Sequence, residues 1–132
     1  MHWAAKYVGR PWQAAAPGPD AFDCWSFVRW VSLADFGREL PEMAIDPDDL
    51  RACLRAFRDE CDSRWQPVSE PIDGDVVLLR SGRYASHCGI FVKDLVGGAV
   101  AHCERGCGVV VAPRRRLPAL GYQHQSFYRW RD

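Results

Sequence analysis

At 132 residues, the chain has room for one hydrophobic core and not for two, so a single domain over residues 1–132 is expected. Hydrophobic residues make up 48% and charged residues 26%, the composition of a globular protein rather than a disordered or membrane-embedded one. The 17 basic and 17 acidic side chains balance to a formal net charge of zero, which excludes an overall field steering the chain toward nucleic acid or an anionic membrane.

The opening residues, Met1-His2-Trp3-Ala4-Ala5-Lys6, have no charged segment followed by an apolar one, so they do not read as a secretory signal. No run approaches the roughly 20 apolar residues of a membrane span. The expectation is synthesis in the cytoplasm and, if the chain works outside, delivery by some route other than a signal peptide. Arg10 to Phe22 is rich in Pro, Gly and Ala and reads as an irregular loop. Asp23 then suits a helix N-cap. Phe27, Val28, Val31 and Ala34 mark one helical face, and Gly37 suits a C-cap. The pattern predicts a helix over 24–36 with Cys24 in its first turn. A second helix is predicted after Asp46, with Pro47 at its first position and Asp48 and Asp49 complementing its dipole. Its stripe of Leu50, Cys53, Leu54, Phe57 and Cys61 makes both cysteines core residues.

Beyond Pro71 the periodicity changes. Asp73-Gly74-Asp75 reads as a turn, and strands are predicted over 76–79, 87–92, 99–103, 109–112 and 127–130, separated by short glycine-bearing turns. Short strands joined by short turns form an antiparallel sheet, and helices followed by sheet give an α+β fold of about five strands. Arg114-Arg115-Arg116 reads as a solvated loop. The aromatics Tyr122, Phe127, Tyr128 and Trp130 read as core and edge-strand packing rather than an interface.

Three residues have the makings of a nucleophilic site. Cys24 at a helix N-terminus is favoured as thiolate by the partial positive charge there, and a thiolate attacks carbonyls. His87 opens a strand and can act as base toward it. If the strands carrying His87 and His102 pair as a hairpin, the two rings are neighbours on one face, and His102 can fix the tautomer of His87. Cys88 and Cys103 each follow a histidine, so alternation turns them to the opposite, core face. The alternative remains that Cys24 is a buried inert thiol and both histidines are structural. His2 and His124 have no supporting context. With no signal peptide, reduced thiols are expected rather than a disulfide framework for the six cysteines. Cys103 and Cys107, alone or with Cys88, have a spacing open to metal, but they lack the paired Cys-x-x-Cys elements of a structural zinc site, and no metal or cofactor is expected.

Asp23-Cys24-Trp25-Ser26-Phe27-Val28 resembles the NlpC/P60 nucleophile motif, Asp-Cys-Ser-Gly-Leu-Val. It is closer still to the phage-associated version, in which Trp follows the cysteine and the helix leads to Gly-x-x-Leu-Pro, here Gly37-Arg38-Glu39-Leu40-Pro41. Ser86-His87-Cys88-Gly89-Ile90-Phe91-Val92 is similar to the family's Ser-His-Val-Gly-Ile-Tyr, and Asp73-Gly74-Asp75-Val76-Val77 to its Pro-Gly-Asp-Leu-Val strand. The resemblance runs from Tyr7 to about Trp130. It implies a papain-like fold and a Cys24–His87–His102 catalytic set. It implies, too, hydrolysis of an amide in peptidoglycan stem peptides, commonly the D-γ-glutamyl to diamino-acid bond, with Trp12, Asp23, Trp25 and Ser86 in the substrate site. A phage or prophage tail setting, with other tail-tip proteins as partners and the virion tail as location, follows from the same resemblance. Three positions depart from the pattern: Ser26 replaces a glycine, Ala15-Ala16 stand where many members have a glycine pair, and Trp12 replaces a tyrosine near the oxyanion. A structural tail component with a dormant or assembly-activated site is the alternative function. The permuted acyltransferase relatives place histidine before cysteine, whereas Cys24 precedes His87.

Overall fold

A computed structural model describes residues 2–40, 65–81, 84–93 and 97–131. Helix α1 (Cys24–Phe36) packs on one face of a six-stranded sheet formed by β1 (Trp65–Val68), β2 (Val76–Ser81), β3 (Tyr84–Val92), β4 (Ala99–Glu104), β5 (Gly108–Pro113) and β6 (His124–Trp130). The strand order is β1-β6-β2-β3-β4-β5, and every pairing is antiparallel. This is the expected α+β architecture. The five predicted strands are present, and β1 is a sixth. It carries Pro67 and lies at the sheet edge beside β6, a place where a residue without an N–H costs no ladder bond on its free side. The second predicted helix, with Cys53 and Cys61, lies outside the described residues.

Alternation along the strands builds two cores. Toward α1 point Val76, Leu78, Cys88, Ile90, Ala101, Cys103 and Val109, meeting Phe27, Val28 and Val31 of the helix. Away from it point Val77, Leu79, Phe91, Val100 and Phe127, covered by Leu117 and Tyr122 from the segment after β5. That segment makes two 3-10 turns, Arg114–Arg116 and Pro118–Leu120; Arg114 lies over the Phe127 ring, while Arg115 and Arg116 are exposed, as expected of a solvated stretch.

One buried charge locks the sheet. Asp75 is fully buried, and both its oxygens accept from Arg129 of β6, Nε to Oδ1 and Nη2 to Oδ2 at 2.9 Å each. Oδ2 also accepts from the Ile72 backbone N–H at 2.8 Å. The Asp-Gly-Asp turn is therefore a structural clamp on the start of β2. A bidentate pair of this kind is tolerated in the interior because each charge satisfies the other.

Candidate active site

The nucleophile position is set by a capping box. Asp23 Oδ1 accepts from the Ser26 N–H at 2.7 Å, and Ser26 Oγ accepts from the Asp23 N–H at 2.9 Å. Two otherwise orphaned donors of the first turn are thereby satisfied. Cys24 becomes the first helical residue, where the helix dipole favours an anion. Ser26 Oγ donates onward to the Ala16 carbonyl at 2.6 Å, which ties the irregular loop to the helix start. A glycine at position 26 could do neither. Ala15 in that loop has φ 61°, the left-handed region, so the position the family resemblance fills with glycine demands glycine-like backbone here and carries strain with alanine.

Cys24 is partly exposed, and its thiol is held well below the usual range, at about 5. A hydrogen bond with Cys88 is the largest influence; burial opposes it, and a hydrogen bond to His87 together with that ring's charge pulls further down. Strand alternation does turn Cys88 toward the helix and His87 away from it, as expected. Cys88 nevertheless does more than fill the core, because its thiol reaches Cys24. Sequence reasoning missed this contact, since alternation gives a side chain's face but not which helix atom it meets.

The two histidines meet. His87 Nε2 and His102 Nδ1 are 2.9 Å apart, with ring centroids 4.9 Å apart at 83°. The β3–β4 ladder runs only over Ile90–Val92 against Ala99–Ala101. Just before it, Gly89 approaches β4 so closely that a Cβ there would lie 2.6 Å from the Ala101 carbonyl oxygen and 3.1 Å from His102 Cβ. Only glycine allows that approach, and it is what brings His102 within reach of the ring two residues earlier. His102 is fully buried, and burial, then the charge of His87, lowers its pKa to about 3. It is a neutral imidazole at any physiological pH, able to accept a hydrogen bond from the Nε2–H of His87. Among the described residues its own Nε2 has no hydrogen-bond partner.

Residues 9–113 match the family model described as NlpC/P60 family. The chain belongs to the NlpC/P60 family. Comparison with curated proteins finds no match. NlpC/P60 members are cysteine peptidases and peptidoglycan hydrolases, and the matched span contains Cys24, His87 and His102.

The other expected site residues fall differently. Asp23 is committed to the cap, and its charge acts to raise the Cys24 pKa. Trp25 is buried and packs edge-on against Trp65, centroids 6.4 Å apart. Trp12 is half-buried and carries the Arg105 guanidinium 4.6 Å above its ring. Ser86 lies on β3, but its side chain is outside the described residues. Cys103 donates to the Phe22 carbonyl at 3.4 Å and is raised to about 12 by burial first, while Cys107 is exposed. Among the described residues no group of three His, Cys, Asp or Glu side chains is arranged to hold a metal. His2 caps the first 3-10 helix by accepting from the Ala4 N–H at 3.1 Å. His124 is exposed on β6.

Proposed function

We propose that the chain is a cysteine peptidase that hydrolyses an amide in peptidoglycan stem peptides, with Cys24 as nucleophile, His87 as proton shuttle and His102 orienting it. The observation that carries this reading is the relay itself: one His87 nitrogen bonds His102 at 2.9 Å, while the ring also bonds a Cys24 thiol lowered to about 5. Near neutral pH the sulfur is then a thiolate. It attacks the amide carbonyl carbon, and the developing oxyanion draws on N–H groups at the start of α1. His87 gives its proton to the leaving amine, and a thioester remains on Cys24. Water, deprotonated by His87, cleaves the thioester, releasing a carboxylic acid and restoring the pair. His102 holds the His87 ring in the orientation both steps need and, being neutral, does not compete for the proton.

The setting we propose is a phage or prophage tail, where the domain opens the wall peptide with other tail-tip proteins as neighbours. The tryptophan after the nucleophile and the Gly37-Arg38-Glu39-Leu40-Pro41 segment support that reading. Among the described residues no helix is long and apolar enough to cross a membrane.

The test is incubation of purified protein with peptidoglycan, reading released peptides by mass spectrometry beside Cys24→Ala. Fragments from the wild type alone support the assignment and identify the bond. Equal release by both proteins sinks it. Silence from both, repeated with the intact tail, moves the weight to a dormant structural component.

A further inference from the structure

An aromatic ring packed on the histidine pair comes from outside the family-matched span. Tyr122 follows the two 3-10 turns after β5, nine residues beyond the matched residues 9–113. Its ring stacks on His87 with centroids 5.6 Å apart and planes 15° apart, and meets His102 edge-on at 6.1 Å and 83°. The ring is fixed at both ends. Its hydroxyl donates to Glu104 Oε1 at 2.7 Å, and its backbone N–H bonds the Leu117 carbonyl at 3.0 Å. Tyr122 is itself buried, so it is a lid over the His87–His102 bond rather than part of an open wall.

We infer that Tyr122, tethered by Glu104, is a positioning residue for His87: a π-face that fixes the plane of the ring and keeps water from the His87–His102 hydrogen bond. The chemistry asks for both. A shuttle must present one nitrogen to the sulfur while the other stays bonded to His102, and rotation about its side-chain torsions destroys that alignment. A parallel ring against one face and the hydrogen bond to His102 at the Nε2 edge leave little rotational freedom. A hydrogen bond shielded from water is stronger than an exposed one. This inference rests on the roles proposed for Cys24, His87 and His102, and it adds a fourth contributor drawn from residues 114–132.

The experiment uses full-length wild type, Tyr122→Phe, Tyr122→Leu and Tyr122→Met, with two readouts. The first is the hydrogen-bonded imidazole N–H and the ring nitrogen shifts of His87 and His102, followed by NMR in 15N-labelled protein. The second is the split between kcat and KM on the peptide bond identified above. Tyr122→Phe should keep the N–H signal and lose less than about threefold in kcat, because the face remains and only the tether to Glu104 goes. Tyr122→Leu should lose the signal to solvent exchange and drop kcat at least tenfold with KM within about twofold. Tyr122→Met, which fills the space without a π-face, serves the same purpose if the leucine variant does not fold. A folded Leu or Met variant that keeps both the N–H signal and kcat overturns the inference, as does a Phe variant as impaired as Leu. The NMR arm stands without activity, so a wild type that cleaves nothing would count against the peptidase reading and leave the positioning role to be decided by the N–H signal.

Discussion

The two faces of the sheet treat their titratable groups by the same rule and reach opposite ends with it. On the helix side, Cys103 lies in the core and burial raises its thiol to about 12. On the far side, burial lowers His102 to about 3. In both cases the interior favours the neutral form. Cys24 also leans on the helix-side core, yet it moves the other way, to about 5, because Cys88 and His87 hydrogen-bond it and outweigh burial. Asp75, fully buried, has both its oxygens gripped by Arg129. A donor placed against a buried group can outweigh its burial, and at Cys24 those donors, Cys88 and His87, come from neighbouring positions of β3.

The comparison can be broken most severely at the seam. His87→Ala removes the shuttle and one of the donors holding the thiolate, and should lower the peptidase rate by about 10²–10⁴-fold, measured as peptide release at saturating substrate. Next comes the paired charge. Arg129→Met leaves Asp75 buried without its partner and should cost about 3 kcal/mol, read from urea unfolding, while Cys24 keeps its reactivity. The neutral histidine makes a prediction with a definite sign. The folded pKa of His102 lies near 3, below its unfolded value of about 6.5, so the unfolded state binds the extra proton between those limits. The His102 contribution is fully present above about pH 6.5 and is lost as pH falls toward 3, by up to about 1.4 kcal/mol per pH unit. His102→Asn should flatten that part of the stability–pH curve; an unchanged slope would assign the acid sensitivity elsewhere. Cys88→Ala should move the onset of Cys24 thiolate reactivity to higher pH, because the largest influence lowering it is gone. The smallest effect is at the loop: Ala15→Gly relieves a left-handed φ of 61° and should stabilise by about 1 kcal/mol, seen as a small rise in Tm.

Much of this was legible in the sequence for physical reasons. The capping residue and apolar spacing placed α1 with both ends correct, Cys24–Phe36 between Asp23 and Gly37. Period-two patterning located five strands and turned both histidines to one face, where they are found bonded. What escaped has causes too. β1 is four residues long and contains Pro67, so local propensity argues against a strand that pairing with β6 nevertheless supports. Tyr122 sits in a turn after Gly121, where no periodicity tells which way a ring points. Its approach to His87 is a tertiary fact, as is the meeting of Cys88 with Cys24 across the helix–sheet interface. Trp25 carried a family signal for the site, but the same position packs against Trp65, and the sequence motif alone does not separate those uses.

The most direct test of the central claim, that a thiolate is held at the start of α1, is the rate of Cys24 alkylation by iodoacetamide as a function of pH, followed by intact mass with peptide mapping to separate it from the exposed Cys107. The account predicts reactivity that rises through about pH 5 and is already on its plateau at neutral pH. A rate that climbs only near pH 9, as for an ordinary thiol, would contradict it.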